Sequence, residues 1–571
     1  MISFVTTVLF CDRREPDAAG RCALALGLGL AAVFLRFTGL SWGFPALLNG
    51  DEPHLVNIAV SFGRGSLNPG LFKYPTLWMY VLFAAYGVFF LAWSGLGLRR
   101  SVEDFGRLFV WEPHRFFLIG RVLSALASLA ALERVYAAGR AVGEARVGLW
   151  AAGLLAVSYK VVESAHAAKP DSLMLFWSAA AWAASLAYAA WGEKRSLLAA
   201  AGFAGLAVST QYTAAPVAAA PLTAFLLRRF AGPGSERPSW GLGAAAAALI
   251  PAAFLAASPY VLLDFPAFRR DLGDHAVHEF AAAPAGLKVL ENAAGFAGPL
   301  WLCAPLLAAG AIELLRRDRR TAALLGLPVL AHIAVLMPSD KGSVFRYLFA
   351  SLPALALLAG VGVEALARLA RVPLERPGAR AALLAALMLP GGLVTARWAL
   401  DLRRPDTRNV AAAWFSANVP EGTRVLIGPE TDNPPLKPSK AQAERLLART
   451  RAEGHPRERY YRMMADSHPG GGYDVVTMSR EAGEMDTAPW HRRFSESGRE
   501  ALDVREGLAA ARAAGVQVAV LSSMGLGHGV PSVERFLRET EERGTLLAEF
   551  VPEPGRLNGP RLRIYRLPEG P

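Results

Sequence analysis

The stretch YPTLWMYVLFAAYGVFFLAWSGLG, residues 74–97, is long and apolar enough to cross a bilayer, and counting it or not reverses every later loop. Around it, apolar runs of 17–25 residues recur from residue 22 to residue 400. A hydrocarbon core of ~30 Å needs about 20 residues of helix. The clear runs are 22–40, 116–138, 147–167, 171–191, 197–210, 213–228, 241–263, 293–315, 321–338, 344–367 and 380–400. Charge arbitrates on 74–97. With that stretch left out as a crossing, one side of the membrane collects Arg13, Arg14, Arg21, Arg140, Arg146, Lys194, Arg195, Arg228, Arg229 and Arg237. The same side then gains Arg316, Arg317, Arg319, Arg320, Arg368, Arg371, Arg376 and Arg380. After residue 138 the other side holds only Lys169, Arg269, Arg270, Lys288 and Lys341. Cytoplasmic loops are the ones enriched in Lys and Arg. The pattern predicts eleven spans, the N-terminus inside and the C-terminal part outside. It also predicts that 74–97 lies in the outer leaflet or re-enters it as a hairpin, with Arg99, Arg100, Arg107 and Arg115 at outer headgroup level. The short pair 197–210 and 213–228 is where an extra crossing would hide.

Composition agrees with a membrane chain. Of 571 residues, 53% are hydrophobic and only 19% charged, and the mean hydropathy is +0.29. Soluble chains sit nearer a quarter charged. From residue 401 the pattern turns to mixed polar sequence with short apolar runs, so the expected division is a membrane domain, 1–400, and a soluble domain, 401–571. The net charge of +12 does not point to nucleic acid: residues 401–571 hold 25 Lys/Arg and 24 Asp/Glu, and the rest of the excess lies in loops between spans. The three cysteines are Cys11, Cys22 and Cys303, which leaves the soluble part without a disulfide framework or a zinc motif. The first apolar run lacks a small-x-small cleavage site and reads as a retained span rather than a signal peptide; residues 1–10 are too few to span.

On this topology 41–115 is a long first outer loop, and four polar clusters fall on the outer face. Asp51-Glu52, with His54 close behind, opens the loop. Lys73-Tyr74-Pro75 precedes the apolar stretch. SAHAAKPDS, 164–172, gives His166, Lys169 and Asp171 at a tight turn. SDKGSVFRYLF, 339–349, gives Asp340, Lys341, Arg346 and Tyr347. Each also has a structural reading. Asp51 suits the cap of a helix begun by Glu52-Pro53, Lys73 can snorkel to headgroups, 169–171 can be a capped turn, and Arg346 can anchor a span. Ionisable groups at membrane depth cost roughly 2–3 kcal/mol each and are usually functional. Four clusters on one face therefore favour a site. Cations hold and neutralise a phosphate, and a carboxylate takes the proton of an attacking hydroxyl or amine. The chemistry that fits is group transfer from a lipid-linked phosphate. Lys160 and Glu163 stand at i and i+3, where the simpler reading is a local ion pair.

The acidic pair after the first span, the KYP segment, the PD turn and FRYLFASLPALALLAG together resemble the GT-C membrane glycosyltransferases. The nearest branch resembles protein O-mannosyltransferases and lipid A aminoarabinose transferases. GLAVSTQYTAAP (205–216), SPYVLLD (258–264), DTRNVAAAWFSANVPEGTRVLI (406–427) and GPRLRIYRLP (559–568) fit in the same order, so the likeness runs through nearly the whole chain. It implies a polyprenyl-phosphate sugar donor, transfer with inversion at the outer face, and a glycan, lipid or protein acceptor. It further implies Asp51 as general base with Glu52 beside it. Lys73 would face donor phosphate, with Tyr74 next to it at the substrate; Asp171 matches the second outer acidic motif, with His166 and Lys169 beside it; Arg346 and Tyr347 match a pair near the carrier phosphate, with Lys341 also at the substrate. Gln211 departs from the pattern, where many relatives are expected to carry Lys. Some GT-C enzymes use a divalent metal and others do not, and His166 with Asp171 is too small a set to decide.

The soluble part reads as α/β. Helices are expected over 407–418, 439–452, 499–513 and 532–542, and strands over Arg424–Ile427, Asp474–Met478, Val516–Leu521, Leu546–Val551 and Arg561–Leu567. GLGHG, 525–529, reads as a flexible loop rather than a nucleotide site. Two other classes compete with the transferase: a transporter or lipid flippase, and a non-catalytic subunit of envelope glycan assembly. Transporters place charge near the midplane and repeat themselves; here the charge gathers at one face and no clear repeat stands out.

Overall fold

The computed structural model describes residues 18–95, 101–142, 145–231, 237–281, 284–428, 430–479, 500–524 and 531–568. Cys11, Arg13, Arg14, Arg99, Arg100 and the GLGHG stretch lie outside the described residues. The chain forms two compact units. One comprises Met1–Leu40, Phe62–Leu82 and Gly120–Ala399; the other comprises Ser41–Ser61, Phe83–Ile119 and Leu400–Pro571.

The first unit is helical. Among the described residues of the whole chain, seven helices are long and apolar enough to cross a membrane, or eight if one bent pair counts as a single span. The expected eleven leave out 74–97, whereas these seven include Leu77–Gly95. Some expected spans fall short of that length, as Lys194–Thr210 does at 17 residues, and others lie in shorter pieces. The run 147–167 is Ala145–Val157 followed by Tyr159–Ala165, bent by 65° at Ser158. The run 213–228 is a 3₁₀ turn, Tyr212–Ala218, followed by the helix Ala219–Ala231. The run 241–263 is Trp240–Ala257, a break at Ser258-Pro259 and one short turn. The re-entrant hairpin expected at 74–97 is not formed. Leu77–Gly95 is one uninterrupted 19-residue helix, since the stretch contains no proline after Pro75 to turn it back.

Small residues set the closest helix contacts. A Cβ on Gly310 would strike the carbonyl of Leu358, and one on Gly362 would strike the carbonyl of Leu306. The helices Leu300–Arg317 and Leu352–Leu369 therefore pack backbone to backbone, as small residues permit in membranes.

In the second unit, residues 400–571 carry a six-stranded sheet in the order β3-β2-β1-β4-β6-β5. The strands are β1 Arg424–Ile427, β2 Asp474–Ser479, β3 Glu500–Asp503, β4 Val518–Ser522, β5 Thr545–Phe550 and β6 Leu562–Arg566. β3, β2, β1 and β4 run parallel, and β6 and β5 close the edge antiparallel. Helix Thr407–Asn418 covers one face, burying Ala411 and Phe415 against Val425, Ile427 and Val475. Helices Leu508–Ala513 and Pro531–Arg543 cover the other with Leu508, Val533 and Phe536. The expected helix 499–513 is corrected. Its first part is strand β3, paired with Val476–Ser479, and a 3₁₀ turn, Val504–Glu506, with Gly507 at φ +84° separates it from Leu508–Ala513. Helix Glu458–Asp466 was not foreseen, because its apolar positions are tyrosines and methionines spread among charges. Also in this unit, Ser101 caps Val102–Trp111, and its hydrogen bonds hold the Asp104 carboxyl below the usual carboxylate range.

Candidate functional site

The acidic doublet belongs to the second unit. Asp51 is half-buried and immediately precedes the helix Glu52–Ser61; its N–H donates to Oδ1 of Asn49 at 3.0 Å. Glu52 is wholly buried and Pro53 follows in the first helical turn, as the helix-start reading required.

The other expected residues belong to the first unit. Lys73 is exposed and Tyr74 half-buried, just before the helix that starts at Leu77. Behind them, Thr76 joins a hydroxyl cluster. Its N–H donates to Oγ of Ser258 at 3.2 Å, its hydroxyl lies 3.1 Å from the same atom, and Ser258 Oγ is 2.6 Å from Ser209 Oγ. Three motifs distant in sequence, KYPT, STQYTAAP and SPYVLLD, therefore meet through hydroxyls that are all buried. Phe72 N–H adds a bond to Asp271 at 2.9 Å.

The KYP segment also touches the PD turn. Trp78 donates its indole N–H to the carbonyl of Ala168 at 3.2 Å. Ser124 donates to the carbonyl of Lys169 at 3.2 Å. Within the turn, Nζ of Lys169 stands 3.8 Å from Oδ2 of Asp171, whose side chain is 2% exposed. His166 has both ring nitrogens against backbone carbonyls, Nδ1 at 2.8 Å from Val162 and Nε2 at 2.9 Å from Thr38, and its ring meets Trp398 edge-on. That geometry fastens the turn to the first span and occupies the nitrogens a metal would need. Among the described residues no group of three or more His, Cys, Asp or Glu could hold a metal ion.

The fourth cluster spans a 3₁₀ turn, Asp340–Ser343, which carries Asp340 and Lys341, and a second 3₁₀ segment, Phe345–Ser351, which carries Arg346 and Tyr347. Tyr347 is buried with two cations close to its ring. Cζ of Arg346 lies 5.3 Å and Nζ of Lys341 6.0 Å from its ring centroid. The segment packs on helices Tyr159–Ala165 and Asp171–Trp191. Lys160 and Glu163, on the former, form the expected ion pair at 3.0 Å, and Tyr159 Oη donates to Glu163 at 3.3 Å.

Arg36 and His332 are among the buried polar groups that escaped the sequence reading. Arg36 is fully buried; it donates to Ser128 at 2.8 Å and to the carbonyls of Ala32, Leu155 and Ala156. His332 is buried with Nδ1 2.8 Å from Oγ of Ser351. The signal for both was available: a lone cation or imidazole inside an apolar run.

Residues 117–262 match the family model described as dolichyl-phosphate-mannose-protein mannosyltransferase. No curated protein sequence matches the chain. Among solved structures, the fold is similar to ArnT from Cupriavidus metallidurans in the apo state, with TM-score 0.56, 15% identity, and coverage of 97% of this chain and 100% of that one. ArnT from the same organism bound to undecaprenyl phosphate gives TM-score 0.54 at 15% identity and the same coverage. The archaeal oligosaccharyltransferase AglB from Archaeoglobus fulgidus, in complex with an inhibitory peptide and a dolichol-phosphate, is similar at TM-score 0.48 and 14% identity over 87% of this chain and 69% of that one. Residues 117–262 thus resemble a mannosyltransferase segment, and the chain has a mostly helical GT-C fold similar to that of ArnT.

Proposed function

We propose that this chain transfers a sugar, with inversion, from a polyprenyl-phosphate-linked donor to an acceptor at the outer face of the membrane. The observation that carries the reading is the cationic arrangement of the first unit, Lys341 and Arg346 about the buried Tyr347, in a fold shared with an ArnT structure that holds undecaprenyl phosphate. In this reading Arg346, Lys341, Lys73 and Lys169 receive the carrier phosphate, with Tyr347, Tyr74 and His166 shaping the surroundings and Asp171 orienting Lys169. Asp51 is the general base, with Glu52 behind it. The acceptor's hydroxyl or amine attacks the anomeric carbon, the bond from that carbon to the phosphate oxygen breaks, and the electron pair leaves with the phosphate. The cations neutralise the charge that develops there, and Asp51 takes the acceptor's proton. The net-positive side of the loops is cytoplasmic and the C-terminal unit extracytoplasmic.

The test uses membranes containing the full chain, incubated with radiolabelled polyprenyl-phosphate sugars, with and without EDTA. Label is expected to pass to an acceptor with the wild type and to fail with Asp51→Asn at equal expression. Full transfer by Asp51→Asn removes it from the role of base. Label that crosses liposomes without being transferred identifies a flippase instead.

A further inference from the structure

His332 is one of the ionisable side chains inside apolar spans that have no part in the reading so far. His332 lies near the C-terminal end of the helix Arg319–Leu336 and is 1% exposed. Its Nδ1 sits 2.8 Å from Oγ of Ser351, itself buried. Its Nε2 is buried with no hydrogen-bond partner among the described residues. An imidazole at that depth costs transfer free energy, and such residues are kept where they are used.

Ser351 closes the 3₁₀ segment Phe345–Ser351, which carries Arg346 and Tyr347. Hydrogen bonds in 3₁₀ helices have poor geometry, and runs beyond three or four residues are uncommon. A seven-residue run therefore needs holding from outside. Trp182 supplies one hold, donating Nε1–H to the carbonyl of Ala350 at 3.0 Å. His332 supplies the next, one residue on, from a helix that packs directly on the segment. Upstream, Asn292 donates to the carbonyls of Gly342 and Ser343 at 3.1 and 3.0 Å, fixing the stretch that carries Lys341.

We propose that His332 is a positioning residue for the Arg346–Tyr347 pair, acting through its hydrogen bond to Ser351. The inference rests on reading that pair as part of the phosphate site. Without the bond, the end of the 3₁₀ segment is free to unwind, and the Arg346 guanidinium loses its fixed place over the Tyr347 ring.

The experiment titrates undecaprenyl phosphate against the purified full chain in detergent and reads Kd, with thermal unfolding as a control. Arg346→Ala and His332→Leu are each expected to weaken binding about tenfold, the loss of one hydrogen-bonded contact. His332→Asn, whose amide stands where Nδ1 stood, is expected to stay within about twofold. The double variant Arg346→Ala with His332→Leu is expected to bind no worse than Arg346→Ala alone, because one acts through the other. If His332→Leu does not fold, Ser351→Ala removes only the hydroxyl and carries the same expectation. Wild-type affinity in His332→Leu or Ser351→Ala, beside a weakened Arg346→Ala, overturns the positioning role. So does an additive double variant, or a His332→Asn as weak as the leucine. Wild-type affinity in Arg346→Ala overturns the phosphate assignment itself.

Discussion

The guanidinium of Arg36 donates to the carbonyl oxygen of Ala156 at 3.0 Å, from one helix to the broken end of another. The helix Ala145–Val157 stops there, and the chain turns by 65° into Tyr159–Ala165. A helix end leaves carbonyls without partners, which lipid cannot supply. Arg36 takes Leu155 and Ala156, and Thr395 donates to the carbonyl of Val157 at 2.8 Å. Ser158 donates its own hydroxyl to Phe296 at 2.9 Å. The turn that presents Lys160, Glu163 and the PD motif is thus assembled by residues on other helices. Arg36→Met keeps the stem and removes the donors. Each orphaned buried carbonyl costs about 1–3 kcal/mol, so the variant is expected to unfold in detergent at clearly lower temperature than the wild type. An unchanged melting curve refutes this account of the break.

The close approach at Gly362 gives a second expectation. A Cβ there meets backbone, the carbonyl of Leu306, and not a side chain that can swing aside. Gly362→Ala must push the helices Leu300–Arg317 and Leu352–Leu369 apart, at about 1–3 kcal/mol for overpacking. Gly326→Ala, with nothing within 4 Å of the added methyl, is the matched control. Reduced yield and thermal stability are expected at position 362 only. Equal behaviour of the two variants contradicts the packing.

How much of this could be read in the sequence follows from what each signal reports. The helix Asp171–Trp191 was read at its true bounds because a Pro-Asp start and a terminal Gly192 in the left-handed region bracket it. The strand Arg424–Ile427 was legible for a similar reason, an apolar run after a Pro-Glu-Gly turn. Composition could not distinguish one straight span from two angled pieces, since the apolar run continues through Ser158 and Ser258 alike. Strand β3 was misread because Glu500–Asp503 at the sheet's edge carries a half-polar pattern that a helix would also tolerate. The clusters around Lys73, Lys169 and Arg346 were legible as charges out of place. The hydroxyls that join their segments, Thr76, Ser209 and Ser258, were not, because single small polar residues are common in any span.

Trp78 tests the link between two of those segments. Its indole N–H reaches the carbonyl of Ala168 while the ring is 1% exposed. Trp78→Phe keeps most of the apolar burial and loses the bond, leaving a buried carbonyl at the turn. The expected loss is about 1 kcal/mol of stability, with a larger fall in transfer than Tyr80→Phe, whose hydroxyl donates to Leu67 at 3.1 Å, away from the PD turn. Equal activity in the two variants separates the turn from catalysis.

Asp171 and Lys169 close the set. Asp171 is the first residue of its helix, where the positive end of the peptide dipoles favours a carboxylate. It also stands 3.8 Å from Lys169, whose side chain is 12% exposed. Asp171→Asn keeps the shape and removes the opposite charge 3.8 Å from the lysine, at a cost of up to about 3 kcal/mol for breaking a buried pair. Lys169→Met together with Asp171→Asn removes both charges, and stability is expected to return towards wild type. Transfer is not expected to return, since the lysine that receives phosphate is then gone. Thermal unfolding and transfer by the same preparations decide between the two roles. Recovery of both in the double variant makes the pair a structural fastener, whereas recovery of stability alone keeps Lys169 at the phosphate.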